Sequence, residues 1–281
     1  MQQWQTSRFL LDLERPQVMG IVNVTPDSFS DGGTHDSLAA ALAHCEQLLK
    51  DGADILDIGG ESTRPGSHAV GLADELARVL PLVREAVKLG VPISVDTYKP
   101  EVMQAVLDLG ADIINDIWAL RQPGAAAVVA GHAQCGVCLM HMHSVPQSMD
   151  REHMQGDAVV QVRDFLQASA QALEALGVAR ARIVLDAGTG FGKTVAQNFA
   201  LLAREAELAA LGYPLLAGWS RKGSLGQVTG LPVGERMVPS VAAALLSVER
   251  GARIVRVHDV RDTVMTLKVW QAMNDNAAWA G

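Results

Sequence analysis

Short apolar segments alternate with longer amphipathic segments along almost the whole of this 281-residue chain. The apolar segments have the length and composition of strands buried on both faces, and the segments between them have helical periodicity. The strand-like segments are residues 17–23, 54–58, 92–96, 112–116, 136–141, 182–186, 214–218 and 253–257. Strands that alternate with helices form parallel sheets, and eight such units predict a closed (β/α)8 TIM barrel, an α/β fold.

The helices between these strands have bounds that the sequence sets only approximately. Helices are predicted at about 37–50, near 125–130, and at 157–176, 198–211, 241–250 and 260–273. One further helix ends at about residue 89, and another begins at residue 100. Asp36 is a candidate N-cap of the first helix. Residues 9–13 are expected to form a short N-terminal extra strand or hairpin across the barrel bottom. No proline- or serine-rich linker divides the chain, so residues 1–281 are expected to form one domain.

The composition is typical of a protein with a large aliphatic core. Apolar residues make up 49% of the chain, aromatic residues 4% and charged residues 19%. The net charge of −8 argues against a nucleic-acid or anionic-membrane partner. The N-terminal residues lack the pattern of a signal peptide, and no apolar run is long enough to span a membrane. Three cysteines fit a reducing compartment, so we expect a cytoplasmic protein.

Each strand-like segment ends in polar side chains that a protein interior would not select. In chain order these are Asn23, Asp57 and Glu61, Asp96, Asn115 and Asp116, His141, Asp186, Ser220 to Lys222, and Arg256 with His258. A single one of them is better explained as a helix cap or a solvated strand end. Because the carboxyl ends of all barrel strands open onto one face, where the ligand sites of this fold occur, the whole set predicts a ligand site there.

Three of these side chains suit the edge of a flat heterocycle. Asp96, Asn115 and Asp186 offer acceptors and one amide. A carboxylate that faces an N–H beside an amino group makes two parallel, charge-assisted hydrogen bonds. This part of the site therefore predicts a ring with adjacent N–H donors.

Other side chains suit phosphate oxygens. Arg64, Lys222, Arg256 and His258 can bind them, and Arg256 could instead lie over a ring as a cation. Asn23, a neutral oxygen ligand, could hold a hydrated Mg²⁺ that phosphates also bind. A heterocycle, a diphosphate and magnesium together suggest a reaction in which pyrophosphate leaves a carbon atom.

The first strand runs into a polar loop, residues 24–33, that ends in the pair Gly32–Gly33. Phe29 lies in the middle of this loop. A solvated connector gains nothing from a phenyl ring, whereas a loop that covers a ligand would. An ordinary surface turn is the simpler alternative.

Two other patterns carry weaker functional signals. Cys135 and Cys138 are three apart in a strand, so their side chains face opposite sides and structural burial is the better explanation. His141 and His143 share a face but have no third ligand for zinc. Residues 187–194 nearly match a nucleotide-binding P-loop, yet that pattern requires glycine where Ala187 stands.

Several motifs resemble those of dihydropteroate synthases, the folate-pathway enzymes that sulfonamides target. The most specific are MGIVNVTPDSFSDGG at residues 19–33 and DIGGESTRPG at 57–66. Shorter matches follow in the family's order: ISVDT at 93–97, IND at 114–116, MH at 140–141, GFGK at 190–193, SRK at 220–222 and RVHD at 256–259. The resemblance extends from residue 18 nearly to the C-terminus.

The resemblance implies condensation of 6-hydroxymethyl-7,8-dihydropterin diphosphate with p-aminobenzoate, giving 7,8-dihydropteroate and pyrophosphate, by a homodimer that uses Mg²⁺. The residues implied to hold the dihydropterin are Asp96, Asn115, Met140, Asp186, Gly218 and Lys222. Those implied to form the p-aminobenzoate pocket are Thr63, Arg64, Pro65, Phe191, Ser220 and Lys222, with Phe29 closing over it. Arg256 would stack on the ring and bind the diphosphate together with His258 and the Mg²⁺ held by Asn23.

The implied reaction suits an SN1-like mechanism. An electron-rich ring can delocalise a cation on its exocyclic methylene, so the diphosphate can leave before the amine attacks. Catalysis then needs charge neutralisation and fixed geometry more than a strong base. Asp31 is the candidate for stabilising the cation, and Arg64, Lys222 and Arg256 complete the predicted catalytic set. Loops 24–34 and 60–70 are expected to close and exclude water.

The chain departs from the family pattern at a few positions without losing a residue that has an implied role. Ala187 stands where a proline is usual, which could change the p-aminobenzoate pocket or its response to sulfonamides. Two other functions remain open. A corrinoid-linked methyltransferase barrel that binds methyltetrahydrofolate would not need the loop with Phe29 and Asp31 or the phosphate-binding cations. A non-catalytic pterin-binding paralogue would not need Asp31, Arg64 and Lys222.

Overall fold

A closed barrel of eight parallel strands forms the centre of the part of the chain that the structure describes. Neighbouring strands follow chain order, and the last strand pairs with the first. The strands are β3 (Gln17–Asn23), β4 (Ile55–Gly59), β5 (Ile93–Asp96), β6 (Ile113–Asp116), β7 (Gly136–Met140), β8 (Ile183–Asp186), β9 (Leu215–Ala217) and β10 (Ala252–Val257). The predicted (β/α)8 TIM barrel is therefore confirmed.

This computed structural model describes residues 2–24, 34–62, 69–143 and 153–275, without the side chains of residues 34–37. Five predicted site residues lie outside the described residues, together with most of the two loops predicted to close over the site. These five are Phe29, Asp31, Thr63, Arg64 and Pro65.

Helices surround the barrel and connect its strands. Their bounds are α1 (Thr34–Lys50), α2 (Leu72–Ala86), α3 (Pro100–Asp108), α4 (Ala125–Gly131), α5 (Ala158–Ala175), α6 (Val195–Ala203), α7 (Glu205–Ala209), α8 (Gly223–Thr229), α9 (Met237–Glu249) and α10 (Val260–Asn274). Single 3-10 turns lie at Val87–Leu89, Arg180–Arg182 and Val233–Glu235. Among the described helices, none is long and apolar enough to cross a membrane.

The helix bounds differ from the predicted ones in three places. Helix α1 begins at Thr34, so Asp36 lies inside it and the prediction of Asp36 as the N-cap was wrong. The segment predicted as one helix at 198–211 is two, and α6 begins three residues earlier behind a Thr194 capping box. Helix α9 begins at Met237 rather than at 241, because Pro239 occupies its first turn, where a missing N–H costs little.

A two-stranded antiparallel hairpin closes the N-terminal end of the barrel, as expected for the first residues. It consists of β1 (Gln3–Gln5) and β2 (Leu10–Asp12). Trp4 and Leu13 are fully buried against the barrel interior, and the Trp4 indole N–H donates to the carbonyl of Arg182 at 3.0 Å. The hairpin therefore acts as the floor of the barrel.

Candidate active site

The barrel interior changes from apolar to polar over two residues on four of its strands. Above the hairpin lies an apolar layer made of Met19, Ile55, Ile113, Cys138, Val184, Leu216 and Ile254. Side chains two residues apart on a strand point the same way, roughly 7 Å further along. The residues two positions beyond that layer are Ile21, Asp57, Asn115, Met140, Asp186, Gly218 and Arg256. Four of these seven are polar or charged, so the floor of the site is set by strand alternation.

A cavity of about 560 Å³ opens above this polar layer, at the carboxyl ends of the strands. Eleven of the residues with a predicted catalytic, substrate-binding or metal-binding role line it, and these are all the members of that set that the structure describes. They are Asn23, Asp96, Asn115, Met140, Asp186, Phe191, Gly218, Ser220, Lys222, Arg256 and His258. The structure thus brings them to one cavity, while the role of each stays a prediction.

Arg256 lies between two buried carboxylates at the base of the cavity. Its Nε donates to Oδ2 of Asp57 at 2.6 Å and its Nη2 donates to Oδ2 of Asp96 at 2.8 Å. Burial disfavours the charge of Arg256, but the two carboxylates outweigh it and raise the pKa of Arg256. Burial also raises the pKa of Asp96 to about 7, against the opposing effect of Arg256. Burial and the Arg256 charge thus act in opposite directions on the pKa of Asp96.

Asp186 and Lys222 lie on the opposite wall, where their opposite charges attract each other. Oδ1 of Asp186 accepts a hydrogen bond from the backbone N–H of Gly188 at 2.6 Å, while burial raises the pKa of this carboxyl. Burial lowers the pKa of Lys222 to about 8, although the charge of Asp186 opposes the shift. The ammonium of Lys222 also lies over the ring of Phe191. This wall combines an acceptor, a cation and an aromatic face.

The loop after β8 is held by a lysine that points into the protein. Nζ of Lys193 donates to the carbonyls of His141, Gly188 and Phe191, at 3.2, 2.8 and 3.1 Å. Gly188 has φ +66°, and a Cβ there would lie 1.9 Å from the carbonyl oxygen of His141. In a P-loop the lysine faces phosphate, so the enclosed ammonium of Lys193 argues further against nucleotide hydrolysis.

The segment that precedes Lys222 is fixed from several sides. Ser220 Oγ lies 2.9 Å from Nδ1 of His258 and also accepts its backbone N–H. Arg221 adopts φ 58°, an unusual conformation for a non-glycine residue, and its backbone N–H donates to Ser240 Oγ at 2.8 Å. Its guanidinium makes two bonds to Asp259, at 2.6 and 3.2 Å. These contacts place Ser220 and His258 side by side at the cavity edge.

Two of the polar strand-end residues turn away from the cavity. Asp116 accepts hydrogen bonds from the backbone N–H groups of Trp118 and Leu120, both at 2.7 Å. The ring of His141 packs edge-on against Phe165, with 4.9 Å between the ring centroids. Each of the two follows an inward-facing residue, so strand alternation directs it outward. The prediction that every strand end would face one site was therefore too broad.

Sequence reasoning missed part of the cavity wall. The further lining residues are Ile21, Glu61, Ser62, Ile117, Thr189, Arg221, Gly223, Val233, Gly234 and Arg236. Of these, only Glu61 and Arg221 had been among the strand-end groups. Ile21 could have been found by alternation, whereas Val233 to Arg236 lie in the connection between α8 and α9, and no pattern in the sequence directs them to the barrel mouth.

The residues with metal-binding chemistry form no resident metal centre among the described residues. No group of three or more His, Cys, Asp or Glu side chains there is arranged to hold an ion. Cys135 and Cys138 are buried and unpaired, with Cys138 in the apolar barrel layer and Cys135 outside the barrel, as predicted. Asn23 contributes one amide to the cavity wall. Such a donor fits a Mg²⁺ that takes most of its ligands from phosphates and water.

The chain is similar to known proteins over nearly its full length. The profile of the family described as pterin binding enzyme matches residues 19–258. A dihydropteroate synthase of Neisseria meningitidis serogroup B is 51% identical over 279 residues, which cover 97% of this chain and 98% of that protein.

Two solved structures are similar in fold as well as in sequence. The dihydropteroate synthase of Burkholderia cenocepacia, complexed with 7,8-dihydropteroate, has a TM-score of 0.90 and 51% identity, covering 99% of this chain and 98% of that one. The dihydropteroate synthase of Xanthomonas albilineans, with 4-aminobenzoic acid, has a TM-score of 0.89 and 51% identity, covering 95% and 96%.

Proposed function

The chain belongs to the pterin-binding enzyme family, and within it we propose that this protein is a transferase that makes 7,8-dihydropteroate. It condenses 6-hydroxymethyl-7,8-dihydropterin diphosphate with p-aminobenzoate and releases pyrophosphate, the reaction that its relatives are named for. The observation that carries the proposal is the cavity itself. Oxygen acceptors that suit the edge of a ring and cations that suit phosphate oxygens line one cavity of about 560 Å³, a volume that suits small-molecule substrates.

The deep half of the cavity suits the dihydropterin ring. Asp96, Asn115 and Asp186 line it with oxygen acceptors, which match the N–H and amino groups on the edge of a pterin. Met140 and Ile117 belong to a small apolar cluster and also line the cavity, so they offer surface to the ring faces. The ring would thus be held at its edge by charge-assisted hydrogen bonds and at its faces by van der Waals contacts.

The leaving diphosphate would lie against the cationic side of the cavity. Arg256 and His258 line this side and can bind phosphate oxygens. Asn23 would contribute one oxygen ligand to a Mg²⁺ that the diphosphate also binds, and this ion would neutralise charge on the leaving group. The C–O bond to the diphosphate breaks first, and the resulting methylene cation is stabilised by the electron-rich ring.

The second substrate would be held beside Lys222. The carboxylate of p-aminobenzoate can pair with the Lys222 ammonium, Ser220 can donate to it, and Phe191 offers an aromatic face. The neutral aryl amine then forms the C–N bond with its lone pair and afterwards loses a proton to water. Asp31 remains our candidate for stabilising the cation, and Thr63, Arg64, Pro65 and Phe29 for completing the pocket. These five lie outside the described residues.

A homodimer is also part of the proposal, with helices α9 and α10 as the contact surface. Apolar side chains on this surface that are exposed to solvent are Val238, Leu246, Met265, Val269 and Met273. An apolar patch of this kind on neighbouring helices is typical of an isologous interface. Sedimentation equilibrium should give twice the chain mass, and Val269→Asp, placed on the most exposed of these side chains, should shift the protein to monomers.

A pyrophosphate-release assay tests the proposed activity. The protein, Mg²⁺ and dihydropterin diphosphate should release pyrophosphate when p-aminobenzoate is added, and mass spectrometry should detect 7,8-dihydropteroate. Benzoate, which lacks the amine, is the matched control and should give no such product. Binding of the pterin without turnover would indicate the non-catalytic paralogue instead, and the corrinoid-linked alternative is not favoured by the relatives.

A further inference from the structure

We infer that Asp57 is the positioning residue of the pterin site, and that it keeps Arg256 and Asn115 oriented for the ring and its diphosphate. This inference rests on the proposed function, because it assigns a role within the same site. Asp57 is not itself a catalytic residue, since it is completely buried beneath the cavity and does not line it.

Asp57 occupies the polar layer of the barrel, in the middle of β4. It pairs in register with Ile21 of β3 and Ser94 of β5, and its side chain points inward above Ile55. An isolated carboxylate in such a place would be strongly destabilising, so its partners determine what it does.

Arg256 is the first of these partners. Nε of Arg256 donates to Oδ2 of Asp57 at 2.6 Å, and its Nη2 reaches Asp96 at 2.8 Å. A pterin bound at the ring edge would compete for Asp96, which lines the cavity, but could not reach the buried Asp57. Asp57 therefore remains the partner of Arg256 when ligand displaces the Asp96 contact. It stops the guanidinium from swinging out of the site.

Asn115 is the second partner. Its Nδ2 donates to the same Oδ2 atom of Asp57 at 3.3 Å. A carboxylate accepts only, so the Asn115 amide must direct its NH₂ downward to Asp57 and its carbonyl oxygen toward the cavity. Without the carboxylate, the amide could rotate and present a donor instead. Asp57 thus keeps a hydrogen-bond acceptor, the Asn115 carbonyl oxygen, facing the cavity, where the N–H groups of the ring need one.

A single isosteric substitution distinguishes the orienting role of Asp57 from a general loss of stability. In Asp57→Asn, Arg256 loses its buried charge partner and the Asn115 amide loses its fixed orientation. Losing a charge-assisted hydrogen bond costs roughly tenfold or more in affinity, so the KM for dihydropterin diphosphate should rise by about that factor. The KM for p-aminobenzoate should stay within about twofold, because no contact of Asp57 reaches Lys222 or Phe191.

The matched control is Asp112→Asn, at the opposite end of the barrel. Asp112 is also completely buried and also pairs with an arginine, since Arg8 contacts both of its oxygens at 2.9 and 2.6 Å. This variant should lose comparable stability and yet keep both KM values. If both variants raised the pterin KM equally, the effect would be one of stability and the inference would fall.

A rescue tests the orientation of Asn115 directly. Combining Asp57→Asn with Asn115→Asp reverses the donor and the acceptor of the pair, and so restores an acceptor toward the cavity. Calorimetry with 6-hydroxymethylpterin, which lacks the diphosphate, should show that the double variant binds more tightly than Asp57→Asn alone. No recovery would overturn the assigned orientation.

Wild-type protein provides a readout that needs no stable Asp57 variant. In a ¹⁵N spectrum of arginine side chains, assigned through Arg256→Lys, the Nε–H of Arg256 should exchange slowly both before and after 6-hydroxymethylpterin is added. Fast exchange in the complex would overturn the role of Asp57. Failure of wild-type protein to form dihydropteroate would instead refute the proposed function, so the two failures are distinguishable.

Discussion

The ammonium of Lys222 lies 4.1 Å from the centroid of the Phe191 ring. Both side chains line the cavity, and Lys222 is also drawn toward the carboxylate of Asp186. A cation stacked on an aromatic face and near an acid is held in one place, so it can bind an anionic substrate without a large loss of side-chain entropy. The first two predictions follow from this arrangement.

Lys222→Ala should abolish turnover. The substitution removes the cation that would bind the p-aminobenzoate carboxylate and also one of the positive charges that act on Asp186. Steady-state rates of pyrophosphate release measure the effect. Lys88→Ala, on the exposed 3-10 turn after α2, is a control that should retain full activity. Unaltered activity in Lys222→Ala would refute the role assigned to Lys222.

The pH profile of the reaction should report the ionisation of Lys222. Burial lowers its pKa to about 8, so the ammonium loses its proton as the pH rises through that value. We expect kcat/KM for p-aminobenzoate to fall on this alkaline side. In Lys222→Arg the guanidinium stays protonated, so whatever activity remains should lack this decrease. An unchanged profile in that variant would assign the decrease to another group.

Asn23→Ala should raise the Mg²⁺ concentration needed for half-maximal activity by several-fold. The amide oxygen is one ligand among several, because phosphates and water would supply the others. Magnesium titrations of turnover measure the shift. Calorimetric binding of 6-hydroxymethylpterin, which carries no phosphate, should not change in the same variant. Equal losses with and without the diphosphate would instead place Asn23 against the ring.

Glu205→Gln should flatten the dependence of stability on pH. Glu205 is buried at the start of α7, and its Oε2 has no hydrogen-bond partner in the described residues. Burial raises its pKa from 4.5 to about 8, outweighing a favourable effect of the nearby Ser247 hydroxyl. The folded state therefore holds a proton that the unfolded state releases, and wild-type stability should decrease as the pH rises from about 4.5 to about 8.

Urea unfolding at the two ends of this range checks that prediction. Relative to wild type, Glu205→Gln should gain stability at the higher pH. Glu207→Gln is the control on the same helix, because the Glu207 side chain is only partly buried and its hydrogen bond to Arg204 lowers its pKa. A gain of the same size and pH dependence in both variants would contradict the assignment to Glu205.

Trp4→Ala should destabilise the protein by about 3–5 kcal/mol, the usual cost of removing a large buried aromatic side chain. Trp4 is completely buried in the barrel floor, and its indole hydrogen bond would be lost as well. Thermal and urea unfolding measure the change. Leu10→Ala, on the same hairpin but more than half exposed, should cost far less. Equal effects would mean that the hairpin does not pack into the barrel as described.

The sequence was sufficient to predict the barrel because its signals are local. Each strand is a short apolar run, and helices such as α3 and α5 have clear starts at Pro100 and Asp157. Helix α8 was missed because a seven-residue segment with two glycines has little helical propensity and depends on its neighbours. The start of α9 was placed four residues too late, although a proline in the first turn is compatible with helix.

The candidate site was predictable to the extent that strand alternation determines it. Asn115 and Asp186 lie two residues beyond apolar interior positions, which a reader of the sequence can find. The same alternation predicts that Asp116, the residue after the inward-facing Asn115, points out of the barrel. The pairing of Arg256 with Asp57 could not be predicted, because 199 residues separate them and only barrel closure brings β10 next to β3 and near β4.

The hairpin at the N-terminal end determines the route by which molecules reach the site. With Trp4 and Leu13 filling that end, the route that the described residues leave open toward Asp96 and Asn115 is the mouth formed by the carboxyl ends of the strands. Because the deep half of the cavity is the proposed pterin site, we expect dihydropterin diphosphate to bind before p-aminobenzoate, which would lie beside Lys222. Dihydropteroate would depart through the same opening with its benzoate end leading.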